Sequence, residues 1–326
     1  KLIFGNVEAA VMENSMTYFF FTALSFPFIA LYNAGASVFR AQQNTGLPMT
    51  VSVISNLMNI VGNAILIFGF GMGVAGAAIS TLISRIFCAV VILCYLRLPR
   101  QQVVVNHYMG IRPSAKRIRT ILAVGIPTGV ENGMFQFGKL AIQSTVSTLG
   151  TAAIAAQAMT NILEGLNGIA AIGVGIGLMT VVGQCIGAGR RDDAVYYIKK
   201  LSVISEIVIL AGCLLVYAAT KPVTIIGGME AESARMCLYM MGWITIVKPI
   251  VWVFSFIPAY GMRAAGDVKF SMILSCASMW IFRVSLCIFL CRVMGYGPMG
   301  VWIGMFTDWT VRGVLYTIRF HRRKWL

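Results

Sequence analysis

Long apolar runs alternate with short polar connectors from one end of the chain to the other. A helix needs about 20 predominantly apolar residues to cross a hydrocarbon core about 30 Å thick. Nine runs of that kind are predicted to be membrane-spanning helices, at approximately 10–38, 48–70, 74–96, 119–148, 152–185, 195–220, 234–261, 268–293 and 298–319. The pattern therefore predicts an all-α, polytopic integral membrane protein.

The connectors fall into two classes by charge. The class rich in Lys and Arg comprises 40–48, 97–119, 187–200, 263–269 and the tail at 319–324. The positive-inside rule places this class in the cytoplasm. The alternate connectors carry almost no charge or mix both signs, and they are 69–73, 149–151, 221–235 and 291–298. Their alternation predicts a first span that starts outside and a cytoplasmic C-terminus.

Part of the chain repeats itself. Residues 40–44 align with 263–267, Met49 then falls on Met272, and after a one-residue slip 72–76 align with 296–300. Parallel repeats are typical of secondary transporters, which carry substrate between their two halves. Chance similarity between apolar segments is the alternative, but loop type, spacing and topology all agree with a repeat.

The repeat divides the chain unequally. Residues 1–97 are interpreted as a partial N-terminal lobe of three helices, 98–118 as a cytoplasmic linker and 119–326 as a complete C-terminal lobe of six helices. Because the first repeat is three helices short, we expect three further helices upstream and twelve in the whole protein, with two pseudo-symmetric lobes.

Composition excludes a water-soluble globule, since 58% of residues are hydrophobic, 11% are charged and the mean hydropathy is +0.82. The net charge of +15 lies mostly in connectors, so nucleic-acid binding is not expected. The eight cysteines form no CxxC pair and are interpreted as small buried hydrophobes. The sequence shows no metal-ligand cluster, nucleotide motif or Ser-His-Asp set, so we expect neither a resident cofactor nor an enzyme.

Polar residues follow one face of each of the fourth and fifth spans, at helical spacings of three and four. On the fourth span they are Asn132, Gln136, Lys139 and Gln143, and on the fifth they are Gln157, Asn161, Glu164 and Gly168. Charged groups inside a membrane are costly and mark functional sites by default. These residues are therefore predicted to line a cavity.

Lys139 and Glu164 both lie about 15 to 20 Å from the connector that joins these two spans, close to mid-membrane. We predict that they form an ion pair, with Glu131 on a neighbouring stripe. Either substrate or proton competes for Glu164, or the pair only locks the helices together. Lys248 either joins this cluster, where it could accept an anionic group, or snorkels to an interface.

Two further sets of polar residues lie inside spans. The second span carries Asn56, Asn59 and Asn63 on one face, which either joins helices or lines the cavity. Arg283 and Asp308 occupy neighbouring spans and are predicted to satisfy each other as a structural pair.

Several short motifs together resemble the multidrug and toxic compound extrusion (MATE) family, whose superfamily also contains lipid and oligosaccharide flippases. They are FRAQ at 39–42 with Pro48, LMNI at 57–60, GVAGAA at 73–78, GIP at 125–127, LG at 149–150 with AAQ at 155–157, VGQ at 182–184 with GAG at 187–189, and RAAGD at 263–267. The resemblance implies two six-helix lobes that rock around a central cavity and export organic solutes in exchange for Na⁺ or H⁺.

The chain also departs from that family. Many relatives carry a Glu where this chain has Phe135 and an Asp where it has Trp252. Coupling through that carboxylate pair is therefore not expected, and Glu131 and Glu164 are the candidates for binding the coupling ion.

The leading hypothesis is a monomeric, cation-coupled multidrug exporter in the cytoplasmic membrane of a bacterium, in contact with small organic substrates and lipid. The alternative is a flippase for a lipid-linked or anionic solute, which Lys139 and Lys248 favour. A membrane-embedded enzyme is disfavoured because no paired His or carboxylate set lies at one depth.

Overall fold

The computed structural model describes residues 9–98, 104, 114–323 and 325, with side chains from residue 12 onward. Within these residues the secondary structure is helical, and no strand occurs. The helices are α1 (Ala9–Ala41), α2 (Gly46–Gly69), α3 (Gly73–Leu96), α4 (Ala115–Val146), α5 (Thr151–Gly187), α6 (Arg191–Ile226), α7 (Ala231–Ala264), α8 (Val268–Val293) and α9 (Met299–His321). Most of the predicted 98–118 linker lies outside the described residues.

Each predicted span coincides with one of these helices. Seven of the helices in the described part of the chain are long and apolar enough to cross a membrane, all except α4 and α9. These two have 32 and 23 residues, which is also long enough at about 1.5 Å per residue, but they carry more polar and charged side chains. The prediction of an all-α, polytopic membrane bundle is confirmed.

The chain divides into two compact units, Lys1–Arg112 and Pro113–Leu326. In the first unit α3 packs against both α1 and α2. Its buried apolar cluster consists of Phe39, Ile92 and Leu96.

The second unit contains α4 to α9. Helices α5, α6 and α7 pack against one another, and α9 packs against α7. Their core includes Leu178, Ile209, Met241 and Trp302, all fully or almost fully buried. Helix α4 packs chiefly against α8, with which it shares a smaller apolar cluster that includes Met279.

The turn between α4 and α5 depends on a glycine. Gly150 has φ +94°, a conformation that side chains with a Cβ atom rarely adopt. This tight turn reverses the chain between the two helices that carry the polar faces. Although the turn joins them, α4 lies mainly on α8, which leaves room between α4 and α5 for a cavity.

Candidate functional site

Three adjoining cavities bring polar side chains into the interior of the second unit. Among these three, the largest cavity has a volume of about 620 Å³. A second cavity of about 290 Å³ shares Lys139, Glu164 and Arg283 with it. A third of about 190 Å³ shares Phe135, Phe256 and Tyr260 with the second. Six of the polar residues that the sequence predicted to line a cavity do line the largest one, namely Gln136, Lys139, Gln143, Gln157, Asn161 and Glu164.

Glu164 and Lys248 form a buried ion pair beside the first two cavities. The Lys248 Nζ atom lies 2.5 Å from Glu164 Oε1 and also donates to the Glu164 carbonyl oxygen at 3.0 Å and to Asn167 Oδ1. Lys248 is 1% exposed, whereas Glu164 is 19% exposed. The ammonium is therefore enclosed by acceptors, while the carboxylate remains accessible from the cavity.

Two neighbours shape the environment of the Lys248 ammonium. The Trp252 ring centroid lies 5.7 Å from Nζ, which allows a cation–π interaction. A Cβ atom on Gly168 would lie 3.2 Å from Nζ, so the glycine leaves space for the ammonium. Trp252 and Gly168 thus both accommodate the buried lysine.

The predicted ion pair between Lys139 and Glu164 is wrong, because α7 supplies Lys248 as the partner of Glu164. Lys139 is exposed in the cavity and has no ion pair or hydrogen bond to any described residue. The spacing placed both residues on the helix faces that line the cavity, but α4 packs on α8 rather than α5. Snorkelling of Lys248 is also wrong, since its side chain is fully enclosed. Its predicted membership of the Glu164 cluster is confirmed.

Glu131 pairs with Arg263 at the third cavity. The distance between Arg263 Nη2 and Glu131 Oε1 is 2.5 Å, and the side chains are 22% and 8% exposed respectively. Sequence reasoning missed Arg263 because it lies in the last turn of α7 and was assigned to a basic connector. Asn132 lines the same cavity and donates to the Thr128 carbonyl oxygen at 2.9 Å.

Asp308 is the centre of a third cluster, which joins α8 to α9. It accepts hydrogen bonds from Ser278 and, at 2.9 Å, from Arg312, and it lies 3.9 Å from Arg283. The predicted association of Arg283 with Asp308 is confirmed, but Arg312 on the same helix is the closer partner.

The amides on α5 form a chain of hydrogen bonds. The indole nitrogen of Trp302 donates to Gln157 Oε1 at 3.1 Å, and Gln157 Nε2 donates to Asn161 Oδ1 at 3.2 Å. Asn167 lies three residues after Glu164 and therefore on the same helix face. Sequence reasoning nevertheless missed it as an acceptor for Lys248.

The predicted amide row of α2 lies in the first unit. Asn59 Nδ2 donates to Ser80 and Thr81 on α3, at 3.4 and 3.3 Å, which favours the helix-joining alternative. Asn63 donates to Asn59 at 3.3 Å. Asn56 is exposed, and a cavity role for these amides stays a prediction.

The described residues contain no group of three or more His, Cys, Asp or Glu side chains that could hold a metal ion. The eight cysteines are free thiols, and six of them are buried. Burial agrees with their interpretation as small hydrophobes in those cases.

Comparison with known proteins identifies two matching family models. The model described as MatE matches residues 127–289, half of the chain. The model described as Lipid II flippase MurJ matches residues 1–143.

Several curated proteins are similar along most of the chain. The Probable multidrug resistance protein NorM of Thermotoga maritima is 26% identical, covering 99% of this chain and 70% of that protein. The Uncharacterized transporter YisQ of Bacillus subtilis is 26% identical, covering 91% and 66%. Multidrug and toxin extrusion protein 1 of Oryctolagus cuniculus is 20% identical, covering 93% and 53%. The chain thus spans about two thirds or less of the length of most of these relatives.

Solved structures share the fold. One is described as the outward-facing conformation of a multidrug resistance MATE family transporter of the MOP superfamily, with a TM-score of 0.86 and 20% identity over 98% of this chain and 71% of that chain. Another, from Pyrococcus furiosus, is described with the words "reverse polarity of binding pocket suggests different function", with a TM-score of 0.84 and 21% identity over 98% and 71%.

Proposed function

Because this chain belongs to the MATE family of efflux transporters, we propose that it is a secondary active antiporter that exports drugs or other organic compounds in exchange for Na⁺ or H⁺. The chain is a multi-pass membrane protein of a transporter family, and its substrate is a small molecule. We propose further that it works as a monomer in the cytoplasmic membrane of a bacterium, surrounded by lipid, with its C-terminus in the cytoplasm.

The observation that carries the proposal is the Glu164–Lys248 pair at the cavity wall. A carboxylate that is partly accessible can bind a proton or Na⁺, and either would compete with Lys248 for the same oxygen. Separating a buried ion pair by neutralising one partner costs about 3 to 5 kcal/mol, because the other charge stays buried. Ion binding at Glu164 would therefore favour a different arrangement of α5 and α7.

Glu131 offers a second carboxylate for the coupling ion. Its Oε1 atom is held by Arg263, whereas Oε2 is buried without a hydrogen-bond partner among the described residues. An acceptor oxygen that no donor holds is a place where a proton or Na⁺ can bind. Glu131 and Glu164 line different cavities, so each can be tested separately.

A flippase for a lipid-linked or anionic solute is the second candidate function. It is favoured by the exposed Lys139 ammonium in the largest cavity, which has no acidic partner among the described residues. An organic cation in that cavity would be repelled by this charge, whereas an anionic group would be attracted.

The test is transport by the protein reconstituted into liposomes, with a fluorescent cationic dye and a fluorescent anionic dye in parallel, and with Na⁺ and H⁺ gradients imposed separately. We expect dye movement under one gradient and its loss in Glu164→Gln or Glu131→Gln. Glu206→Gln is the matched control, because it removes a membrane carboxylate that lines none of the three cavities. If Glu206→Gln abolished transport while Glu164→Gln and Glu131→Gln retained it, the assignment of Glu131 and Glu164 would be refuted. Absence of dye movement under both gradients would favour the flippase.

A further inference from the structure

Lys139 and Arg283 line the same two cavities of the second unit, and among the described residues neither is hydrogen bonded to an acid. Lys139 reaches them from α4 and Arg283 from α8. Burying positive charge inside a membrane protein is costly unless a counter-charge is close. The cavity therefore contains two basic groups whose charges are incompletely compensated.

Arg283 is held near Asp308 but does not bond to it. The distance of 3.9 Å between Arg283 Nη1 and Asp308 Oδ2 exceeds hydrogen-bond length, and the same oxygen accepts a 2.9 Å bond from Arg312. Arg283 is 12% exposed, and its Nε atom is buried without a hydrogen-bond partner among the described residues. The guanidinium thus retains unused donors.

The backbone around Arg283 is also unusual. Residues Met279–Val284 form a π-helical turn within α8. Such turns are rare within α-helices and are frequent at functional sites. Phe289–Val293 form a second π-helical turn in the same helix, but only the first contains a residue that lines the cavities, Arg283.

The acid that shares the cavity lining with Lys139 already has a basic partner. Glu164 shares both cavities with Lys139, but its Oε1 atom is bound to the buried Lys248 ammonium. The second cavity is lined by Lys139, Lys248 and Arg283 against the single acid Glu164. The lining is therefore positive in sum.

Neutral groups add further donors to the lining. The Trp302 indole N–H can only donate, so Gln157 accepts this hydrogen bond with its amide oxygen. The amide nitrogen of Gln157 then donates to the side-chain oxygen of Asn161. Asn161 consequently uses its oxygen and keeps its amide nitrogen free to donate. Asn161 and Gln157 both line the largest cavity, so the part of its wall that α5 forms offers a donor to an acceptor group.

We propose that Lys139 and Arg283 together bind one anionic group, a carboxylate or a phosphate, of the transported compound. This inference rests on the proposed transport function, because it names the substrate class at the same cavity. A volume of about 620 Å³ is in the range of sites for drug-sized molecules, so the ligand is an organic anion rather than an inorganic ion. The anionic group belongs either to a soluble compound or to a membrane lipid.

The test measures binding of dansylglycine, a soluble fluorescent carboxylate, to the purified protein in lipid nanodiscs. Dansylcadaverine carries the same fluorophore on a cation and serves as the matched probe. A parallel set of nanodiscs contains a polyprenyl phosphate as a lipid-borne competitor. We expect saturable binding of dansylglycine, or of the lipid phosphate measured by displacement, and weak binding of dansylcadaverine.

Lys139→Gln and Arg283→Gln should each weaken anion binding by about tenfold or more, as expected for loss of a hydrogen bond between charged groups. Lys139→Arg and Arg283→Lys keep the charge and should retain most of the affinity, which also shows that the fold is intact. Lys269→Gln is the control, because Lys269 is an exposed lysine that lines none of these cavities.

Each result has a defined meaning. Preference for dansylglycine assigns a soluble anion, and displacement only by polyprenyl phosphate assigns a lipid-borne one. Absence of anion binding in both sets, or unchanged affinity in both glutamine variants, would overturn the inference. If the inference is overturned but a gradient still drives transport of dansylcadaverine, the exporter proposal holds without the anion site. If anions bind through Lys139 and Arg283 but no gradient drives transport, the exporter proposal fails and the site stands.

Discussion

Replacing Glu164 with Gln should destabilise the protein more than replacing Lys248 with Met. Glu164→Gln keeps the shape of the side chain but leaves the Lys248 ammonium, 1% exposed, without its carboxylate. Removing one partner of a buried pair costs about 3 to 5 kcal/mol. The backbone oxygen of Glu164 and the side-chain oxygen of Asn167 remain as acceptors, so we expect a loss of about 2 to 3 kcal/mol.

Lys248→Met removes the charge that is hardest to solvate. The remaining Glu164 carboxylate is 19% exposed at the cavity and can be hydrated or can bind a proton there. The loss of stability in Lys248→Met should therefore be smaller, about 1 to 2 kcal/mol. In the double variant neither charge is left uncompensated, so its loss of stability should be less than the sum of the single losses by about 1 to 3 kcal/mol.

The assay is SDS-induced unfolding of the purified protein in mixed micelles, followed by tryptophan fluorescence, for the wild type, both single variants and the double variant. Lys269→Met is the matched control, because it makes the same replacement at an exposed lysine and should leave the unfolding free energy nearly unchanged. The reasoning would be refuted if Lys248→Met cost as much as Glu164→Gln, or if the two losses were additive.

Three further changes test other parts of the second unit by the same unfolding measurement. Asp308→Asn should lower stability by about 3 to 5 kcal/mol, since Arg312 is 2% exposed and would lose its counter-charge. A loss of stability no larger than that caused by an Asp→Asn change at an exposed position would contradict this. Gly168→Ala should weaken the Lys248 ion pair, because the added Cβ atom would lie 3.2 Å from Nζ. The variant should be less stable by about 1 kcal/mol or more than Gly165→Ala, which gains the same helix propensity without a new contact; equal stability would show that the ammonium moves freely. Gly150→Ala should cost about 1 to 3 kcal/mol through backbone strain at φ +94° and ψ 166°, with no packing contribution because no atom lies within 4 Å of the added Cβ atom; an unchanged stability would show that the turn relaxes.

The positions of the helices followed from the sequence because the cost of placing a residue in lipid depends mainly on that residue. A run of apolar side chains long enough to cross the membrane determines a span whatever its neighbours are. The start of α8 at Val268 and its end at Val293 were predicted on this basis. The connector at 149–151 was likewise predicted as the break between two apolar runs, and the structure places the turn there, at Gly150.

The same local reasoning found the polar faces of the cavity. Helical spacing showed that Gln136 and Lys139 share a face on α4, and that Asn161 and Glu164 share one on α5, and the structure places all four at the largest cavity. Their roles in binding or coupling remain predictions, because position alone does not identify a ligand.

Only the tertiary structure decided which charges meet. Spacing along a helix gives the depth and the face of a side chain, but the neighbour of that face depends on how the helices pack. Lys139 and Glu164 have matching depths, yet α4 lies on α8 while α7 brings Lys248 to Glu164. The sequence thus determined a membrane bundle with polar helix faces. Packing between helices that are distant in sequence determined that Lys248 has an acidic partner, whereas Lys139 faces the cavity without one among the described residues.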